Sequence, residues 1–504
     1  MIGTQLIEVR NYREITRFIP GDVLHHICEA TEDEGDRNLV ERKHRKNLNI
    51  LSMMGVCRSW NDQIRGLNGL FADIAFDTSR PSTISTAARF LGIIEAQSNN
   101  IRVYARCIIW FGDETQMAFL SRLRLQSWRF VCFEVEHMSA PFIAHFNLPA
   151  PRLLRLVHTP ALPDRLFASS FTNLRVLNAS VKQHFPWPTA TFPNLVTLRL
   201  ENVHSSRRFC ATSLLDLIGY ANQLEELRLI DFLRFSGGSR TKPLTHTSLK
   251  SIHFAQCNLK FVLQHLQFPN ATTLRVESYG IGLDGELNLP PPKDTSYFTP
   301  LQALPIPVLD QHVVTGVTIH MQDWFTDDIY FKISLRCRAS RSIDFTATFR
   351  KVDGWEVYFQ SSVDEMLRRV RLGARVNLSI FHYFPLSPIS PPTCELPLFS
   401  PDLPLLRLPQ VALLRTDHSL VQNVIQCLAD LDHRLLPNLK CYSFDVGTQP
   451  ASVDLAAPET LACLRSRFND GIPFALQYWT LDGKIKYDLM LSIYADTKRS
   501  QMLI

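Results

Sequence analysis

The sequence lacks both a strong charge excess and a long apolar run. It has 504 residues, of which 53 are Lys or Arg and 48 are Asp or Glu, giving a formal net charge of +5. This small excess argues against a nucleic-acid partner, because nucleic-acid-binding domains are strongly basic. No run of about 18 apolar residues is present, so we expect no membrane span. The charged N-terminal segment does not resemble a signal peptide, and we expect a cytoplasmic or nuclear location, or both.

Motifs for metal binding and catalysis are also missing. The 11 cysteines are scattered, with no Cys-x-x-Cys pair and no Cys/His set at zinc-finger spacing. They predict reduced thiols in an intracellular protein. A nucleophile elbow, a phosphate-binding loop, a zinc-protease motif and a dinucleotide-binding loop are all lacking. We therefore expect no catalytic residue, no metal site and no cofactor.

The N-terminal region predicts two helices separated by a charged loop. The first covers "RFIPGDVLHHICE", with proline in its first turn and with Leu24 and Ile27 on an apolar face. The charged segment 31–46 predicts a loop, although its "ERKHRK" run could instead be a nuclear-localisation patch. The second helix covers "LNILSMMGVCRSW", with Leu48, Leu51, Met54 or Gly55, and Cys57 on one stripe.

Repeats of 20 to 30 residues occupy the middle of the chain. Segments with the pattern apolar-x-x-apolar-x-apolar begin at Leu174, Leu195, Leu224, Leu249 and Ala271, which are 21, 29, 25 and 22 residues apart. This period is typical of leucine-rich repeats, in which each repeat contributes one strand. A turn of the type "FPNL" precedes several of these strands. The chain is also too long for a single compact core, which fits a repeat array.

Weaker repeats flank this region. "QMAFLSRLRLQSWRFVCFEVE" predicts a helix and a strand, while "YFKISLRC" and "IDFTATFR" predict alternating strands. Proline-rich crossovers are expected near 286–309 and 384–409. "HSLVQNVIQCLADL" and "ETLACLRSRF" predict helices, and two strands are expected around Asp482–Gly483, a hairpin turn pair.

One position of the repeat is rich in basic residues. It lies between the second and third apolar residues, where stacked strands would align it in a column facing away from the core. Successive repeats place there Val157, Asn178, Arg199, Arg228, His253 and Arg275. We expect the last four to bind an acidic or phosphorylated segment of a substrate protein, because forked guanidiniums suit carboxylates and phosphates. The alternative is that Glu201, Glu226 and Glu277 in neighbouring columns neutralise the basic residues.

The N-terminal pattern resembles the F-box. "FIPGDVLHHIC" corresponds to its L-P-x-x-x-L-x-x-I helix, "LSMMGVCRSW" to its L-x-x-x-x-V-C-x-x-W helix and "GLFADI" to its L-W-x-x-[IL] segment. Ile19 replaces the usual leucine and Phe71 the usual tryptophan. The remainder is similar to fungal, basidiomycete-type F-box proteins with irregular leucine-rich repeats.

This resemblance implies an α+β repeat fold, in which a small all-α N-terminal F-box precedes an irregular leucine-rich-repeat α/β solenoid. It divides the chain into an N-terminal extension (1–17), an F-box (18–76, with the charged insert 31–46) and a repeat domain (77–504).

The resemblance also implies a function. The chain would be the non-catalytic substrate-recognition subunit of a cullin–RING ubiquitin ligase, whose F-box docks the adaptor subunit and whose repeats bind an unknown substrate protein. The alternative is a repeat-containing interaction scaffold that acts outside ubiquitination. Neither needs a nucleic acid, a membrane or a cofactor. The implied adaptor-binding residues, which would be divided between the domain's own core and the adaptor, are Ile19, Pro20, Leu24, Ile27, Leu51, Val56, Cys57, Trp60, Leu70 and Phe71.

Overall fold

The structure is a computed structural model that describes most of the first half of the chain and parts of the second. The described residues are 19–30, 39–279 and 313–350 with short internal gaps, 370–383, 408–445 with gaps, 475–479 and 485–488. The N-terminal extension, the segment 286–309, nearly all of 384–409 and the predicted helix "ETLACLRSRF" lie outside the described residues. Of "HSLVQNVIQCLADL", Leu420 and Val424 are described, and both are buried.

The chain forms two compact units of mixed α/β structure, each described separately below. Unit 1 is Met1–Asp231 with Ser236–Ser239, and unit 2 is Phe232–Phe235 with Arg240–Ile504. In the part of the chain that the structure describes, unit 1 contains the helices α1 (Gly21–Ala30), α2 (Leu39–Met54), α3 (Arg58–Gly66), α4 (Pro81–Glu95), α5 (Glu114–Leu125) and α6 (Ala211–Tyr220). Short 3-10 turns of unit 1 cover Asn68–Phe71, Ser127–Arg129 and Leu166–Ser169.

Unit 1 contains a parallel sheet whose strands follow each other in chain order. They are β1 (Asp73–Asp77), β2 (Ile101–Arg106), β3 (Phe130–Glu136), β4 (Arg155–Ala161), β5 (Val176–Val181), β6 (Thr197–Asn202) and β8 (Glu226–Ile230). Each strand pairs in parallel with the next. The two-residue strands β7 (Phe209–Cys210) and β9 (Phe235–Ser236) complete the elements before residue 237.

The apolar positions of the repeats form the core, which confirms the predicted strands. Leu177, Leu198 and Leu227 lie opposite one another on successive strands and are buried. The strand side chains between them point to the opposite face, because successive residues of a strand alternate. We call this second surface the outward face. The predicted helix and strand in "QMAFLSRLRLQSWRFVCFEVE" are confirmed as α5 and β3.

The "FPNL" turn connects neighbouring repeats through its asparagine. In the turn itself, the Leu174 N–H donates to the carbonyl of Phe171 at 3.0 Å. The side-chain amide of Asn194 donates to the carbonyl of Thr172 in the preceding turn at 2.9 Å. The same bond recurs at 2.8 to 2.9 Å from Asn173 to Pro151, Asn270 to Thr247 and Asn438 to Pro409. Asparagine therefore satisfies a turn carbonyl that has no partner within its own turn.

Unit 2 is also mostly parallel but contains an antiparallel insertion. Its strands are β10 (Leu244–Thr245), β11 (Ser251–Ala255), β12 (Leu266–Gln267), β13 (Thr273–Tyr279), β14 (Val313–Asp323), β15 (Asp328–Cys337), β16 (Ser342–Arg350), β17 (Arg371–Tyr383), β18 (Val411–Asp417), β19 (Cys441–Asp445), β20 (Ala475–Trp479) and β21 (Ile485–Asp488). β14, β15 and β16 form an antiparallel meander, which places β16 beside β13 and β14 beside β17.

The pairing on either side of this meander is parallel. β11 pairs with β13, and β17 to β20 pair successively. The strands predicted in "YFKISLRC" and "IDFTATFR" are confirmed as β15 and β16. The two strands predicted around Asp482–Gly483 are also confirmed, because β20 and β21 pair in antiparallel fashion.

The N-terminal helices correct two predictions. The loop prediction for 31–46 is wrong over 39–46, because α2 begins at Leu39 and buries Val40 and Lys46. The single helix through "LNILSMMGVCRSW" is also wrong, since α2 ends at Met54 and Cys57 is in an extended conformation at the start of α3. The apolar stripe is consequently displaced, and Leu48 is exposed.

Candidate protein-binding surfaces

The N-terminal helices expose several large apolar side chains. On α1, Val23 and Ile27 are 42% and 40% exposed, and Val56, in the turn between α2 and α3, is 53% exposed. We call these three residues the helical apolar surface. α1 contacts both α2 and α3. Val23 and Ile27 are four residues apart on α1 and so share one face of the helix, and exposed apolar patches are typical of partner-binding surfaces.

The residues predicted to contact the adaptor divide between this surface and the core. Pro20, Ile27 and Val56 are exposed, while Ile19, Leu51, Cys57 and Trp60 are half-buried. Leu24, Leu70 and Phe71 are buried. The ring of Phe71 lies 5.4 Å from that of Phe90 in α4. These last three residues therefore lie in the chain's own core, on one side of the expected division, and the adaptor-binding role of the others stays a prediction.

Helix α2 is attached to the outward face of the sheet by apolar packing. Val40 lies in one buried cluster with Ala75 of β1, Tyr104 of β2 and Cys132 of β3. Burial of Tyr104, with the Asp73 carboxylate beside it, raises the pKa of its phenol. Burial of Cys132, with Glu134 beside it, raises the pKa of its thiol to about 12. Both groups are thus held in their neutral forms in a contact between helix and sheet.

A buried carboxylate strengthens this attachment. Asp73 is buried, and its two oxygens contact Lys43 of α2 and Arg102 of β2. The side-chain amide of Asn47 donates to the backbone carbonyl of Asp73 at 3.0 Å, and the Lys43 ammonium lies 5.7 Å from the centroid of the Tyr104 ring. Sequence reasoning missed this cluster. The sequence feature that could have indicated it is the alternation of strand side chains in "DIAFD", which places Asp73 on the face of the sheet that α2 covers.

In unit 1, the basic column places Arg199 and Arg228 side by side. Asn178 lies opposite Arg199, and Arg199 lies opposite Arg228. All three side chains are half-buried. The Nε of Arg199 is buried without a hydrogen-bond partner, and no ion pair joins Arg199 to a carboxylate among the described residues. Glu201 and Glu226 therefore do not neutralise Arg199 through a direct contact, as the alternative interpretation expected.

The neighbouring carboxylates form no ion pair with Arg199. Glu226 accepts a hydrogen bond from the hydroxyl of Thr197 at 3.4 Å. Burial raises the pKa of Asp231 at the end of β8, and the charge of Glu201 raises it further. Glu201 and Glu226 thus lie close to the arginine pair but leave Arg199 without a bonded counterion.

In unit 2, the other two predicted basic residues share a buried carboxylate. His253 lies opposite Arg275. The Nε2 of His253 is 3.2 Å from Oε1 of Glu277, and Arg275 contacts the same oxygen. The neutralisation alternative therefore applies to Arg275. Arg228 and His253 belong to different units, and the proposed binding role of all four residues stays a prediction.

Neither a membrane-spanning helix nor a metal-binding cluster is present in the part of the chain that the structure describes. There, no helix has the length and apolar character that a membrane crossing needs. No group of three or more His, Cys, Asp or Glu side chains is placed to hold a metal ion among those same residues. Comparison with protein-family models and with curated proteins finds no match to the chain.

Proposed function

We propose that this chain is a substrate-recognition subunit of a cullin–RING ubiquitin ligase. The N-terminal F-box-like segment would dock the adaptor subunit, and the repeat sheet would bind a substrate protein. The observation that carries the proposal is the exposure of Ile27 and Val56, two residues that match the F-box pattern. Other motif positions, such as Leu24, are buried and hold the helices together.

The attachment of α2 to the sheet supports this proposal physically. A ligase subunit without catalytic residues acts by proximity, holding a substrate lysine near a ubiquitin-loaded enzyme. Such a subunit needs two binding surfaces with a fixed separation. The packing of Val40 on the sheet and the contacts of Asp73 with Lys43 and Arg102 provide this rigidity within unit 1.

Co-purification with the adaptor subunit tests the proposal. We expect wild-type chain to capture the adaptor and an Ile27→Asp/Val56→Asp variant to lose it, because each aspartate places a charge in the apolar contact. Leu125→Asp is the matched control, since Leu125 is an exposed apolar residue of unit 1 on α5, away from these helices. This control should bind the adaptor like wild type.

Failure of the wild-type chain to capture the adaptor, where a known F-box protein does so, would contradict the proposal. The chain would then be assigned to the alternative class, a repeat scaffold that acts outside ubiquitination. Equal capture by wild type and the double variant would contradict the role of the helical apolar surface. On the ligase proposal, the chain works in the cytoplasm, the nucleus or both, without a cofactor.

A further inference from the structure

We infer that Asn178, Arg199 and Arg228 bind a carboxylate side chain of an acidic peptide segment. We call these three residues the arginine site. They occupy equivalent positions on β5, β6 and β8, so they line up across the strands on the outward face of unit 1. Neighbouring strands are about 4.8 Å apart. At that spacing both guanidiniums can reach the same carboxylate group.

Electrostatics favours an anion at this position. Like charges directly opposite each other on adjacent strands are destabilising. Arg199 and Arg228 are such a pair, and a carboxylate bound beside Arg199 would reduce this repulsion. Arg199 forms no ion pair with a carboxylate among the described residues, so a bound carboxylate would supply a counterion that it lacks there. A guanidinium pairs with a planar carboxylate through two parallel N–H bonds.

The neighbouring residues favour a carboxylate over a phosphate. Glu201 and Glu226 lie in the columns on either side of the arginine pair. Their negative charges oppose a phosphate, which carries almost two charges near pH 7, more strongly than they oppose a singly charged carboxylate. The amide of Asn178 adds a neutral donor on the next strand, which suits a carboxylate oxygen.

The equivalent pair of unit 2 shows how such a site is occupied within the chain itself. There the buried carboxylate of Glu277 contacts both His253 and Arg275 on adjacent strands. The arginine site has the same strand geometry, but Arg199 has no carboxylate partner among the described residues. We infer that a partner protein supplies it. Assigning this peptide to a ubiquitination substrate rests on the proposed function, whereas the binding itself does not.

Fluorescence anisotropy with the full chain tests this site. The probe is a labelled peptide of alternating Glu and Ser, with the same peptide carrying Gln for Glu as its uncharged control. We expect the Glu peptide to bind at least tenfold more tightly than the Gln peptide, and its affinity to fall with added salt. Arg199→Gln and Arg228→Gln should each lower the affinity for the Glu peptide about tenfold. Arg199→Lys, which keeps the charge, should lower this affinity less.

Arg152→Gln is the control variant, because Arg152 is an exposed arginine of unit 1 that lies over the Trp128 ring and not in this column. Its affinity should equal that of wild type. Circular dichroism of each variant separates loss of the site from loss of the fold, and Arg199→Lys keeps the test valid if Arg199→Gln unfolds. Equal binding of the Glu and Gln peptides, or unchanged binding by Arg199→Gln, would overturn the inference.

Two further measurements distinguish this inference from a preference for phosphate and from the proposed ligase function. A phosphoserine peptide that binds more tightly than the Glu peptide would overturn the preference for carboxylate. Adaptor capture measured on the same protein distinguishes the two proposals. Capture without peptide binding overturns the arginine site alone, whereas peptide binding without capture leaves the site intact and contradicts the ligase function.

Discussion

The ammonium of Lys43 lies 3.4 Å from Oδ2 of Asp73, and this contact joins helix α2 to the first strand of the sheet. Asp73 is 2% exposed, so its charge must be compensated by its neighbours, Lys43 and Arg102. The cluster lies between the helices that resemble an F-box and the strands of the repeats. It therefore determines how rigidly the first of these regions is attached to the second.

Replacing Asp73 with Asn should loosen this attachment. The substitution removes the charge that Lys43 and Arg102 share, and removing one partner of a buried ion pair costs about 3–5 kcal/mol. Because Arg102 is partly solvated, we expect a loss of about 2–3 kcal/mol in unfolding free energy. Amide hydrogen exchange across α2 should become faster.

The control for this prediction is Glu95→Gln. Glu95 pairs with Arg122 on the surface of α4 and α5, and exposed pairs contribute less than about 1 kcal/mol. Exchange across α2 should be unchanged in this variant. Equal effects of the two substitutions would show that Asp73 does not hold α2 to the sheet.

Replacing Asn194 should weaken the connection between two repeats. Its amide donates to the carbonyl of Thr172, and a single hydrogen bond contributes about 1 kcal/mol. Asn194→Ala should lower the unfolding free energy by about that amount. Asn194→Asp should cost more, because it places a carboxylate oxygen against the Thr172 carbonyl. Chemical unfolding monitored by circular dichroism measures both, and a smaller effect of Asp than of Ala would contradict the hydrogen-bond assignment.

The repeat period could be predicted from sequence because it depends on local chemistry. Leucines at fixed spacing must share one face of a strand, and the structure places Leu177, Leu198 and Leu227 accordingly. The asparagine of the "FPNL" turn could also be recognised as a turn residue from the sequence, although the carbonyl to which its side chain donates lies in the preceding repeat. Predicting these features requires only two general rules: side chains alternate along a strand, and buried carbonyls accept hydrogen bonds.

The N-terminal helices and the meander could not be predicted in the same way. The segment 39–46 contains four Lys or Arg residues, which predicts a solvated loop. Lys43 nevertheless contacts Asp73 and lies near the Tyr104 ring of the sheet, and Lys46 is buried. In sequence, Asp73 is 30 residues and Tyr104 is 61 residues away from Lys43. Similarly, nothing local in "IDFTATFR" indicates that β16, rather than β14, pairs with β13. Long-range pairing decides both outcomes.

Two cysteines of unit 1 should differ sharply in reactivity. The thiolate is the reactive form of cysteine. Burial raises the pKa of Cys132 to about 12, whereas a hydrogen bond from the Thr212 hydroxyl lowers the pKa of Cys210. At pH 8, iodoacetamide should therefore modify Cys210 first and leave Cys132 unmodified, as measured by peptide mass spectrometry. In urea the difference should disappear. Faster modification of Cys132 in the folded protein would contradict the packing of α2 over it.

The same thiol should make stability depend on alkaline pH. Since the folded-state pKa of Cys132 is raised above its unfolded value, the native state keeps a proton that the unfolded state loses. The stabilising effect is complete below about pH 9 and is lost as the pH rises toward 12. Tyr104, whose pKa is also raised, acts in the same direction. Thermal unfolding between pH 8 and 11 should show a decline that is smaller in Cys132→Ala, and an equal slope would contradict this assignment.

A methyl group at Gly373 should destabilise unit 2. Gly373 lies in β17 where the pairing with β14 shifts register. A Cβ there would lie 3.1 Å from the carbonyl oxygen of Val314 and 3.3 Å from Cγ1 of Val313. Because a backbone oxygen cannot move away cheaply, we expect Gly373→Ala to cost about 1–3 kcal/mol and to speed amide exchange in β14. Gly69→Ala is the control, since no heavy atom lies within 4 Å of its Cβ position. Unchanged exchange in β14 would contradict the close approach of the two strands.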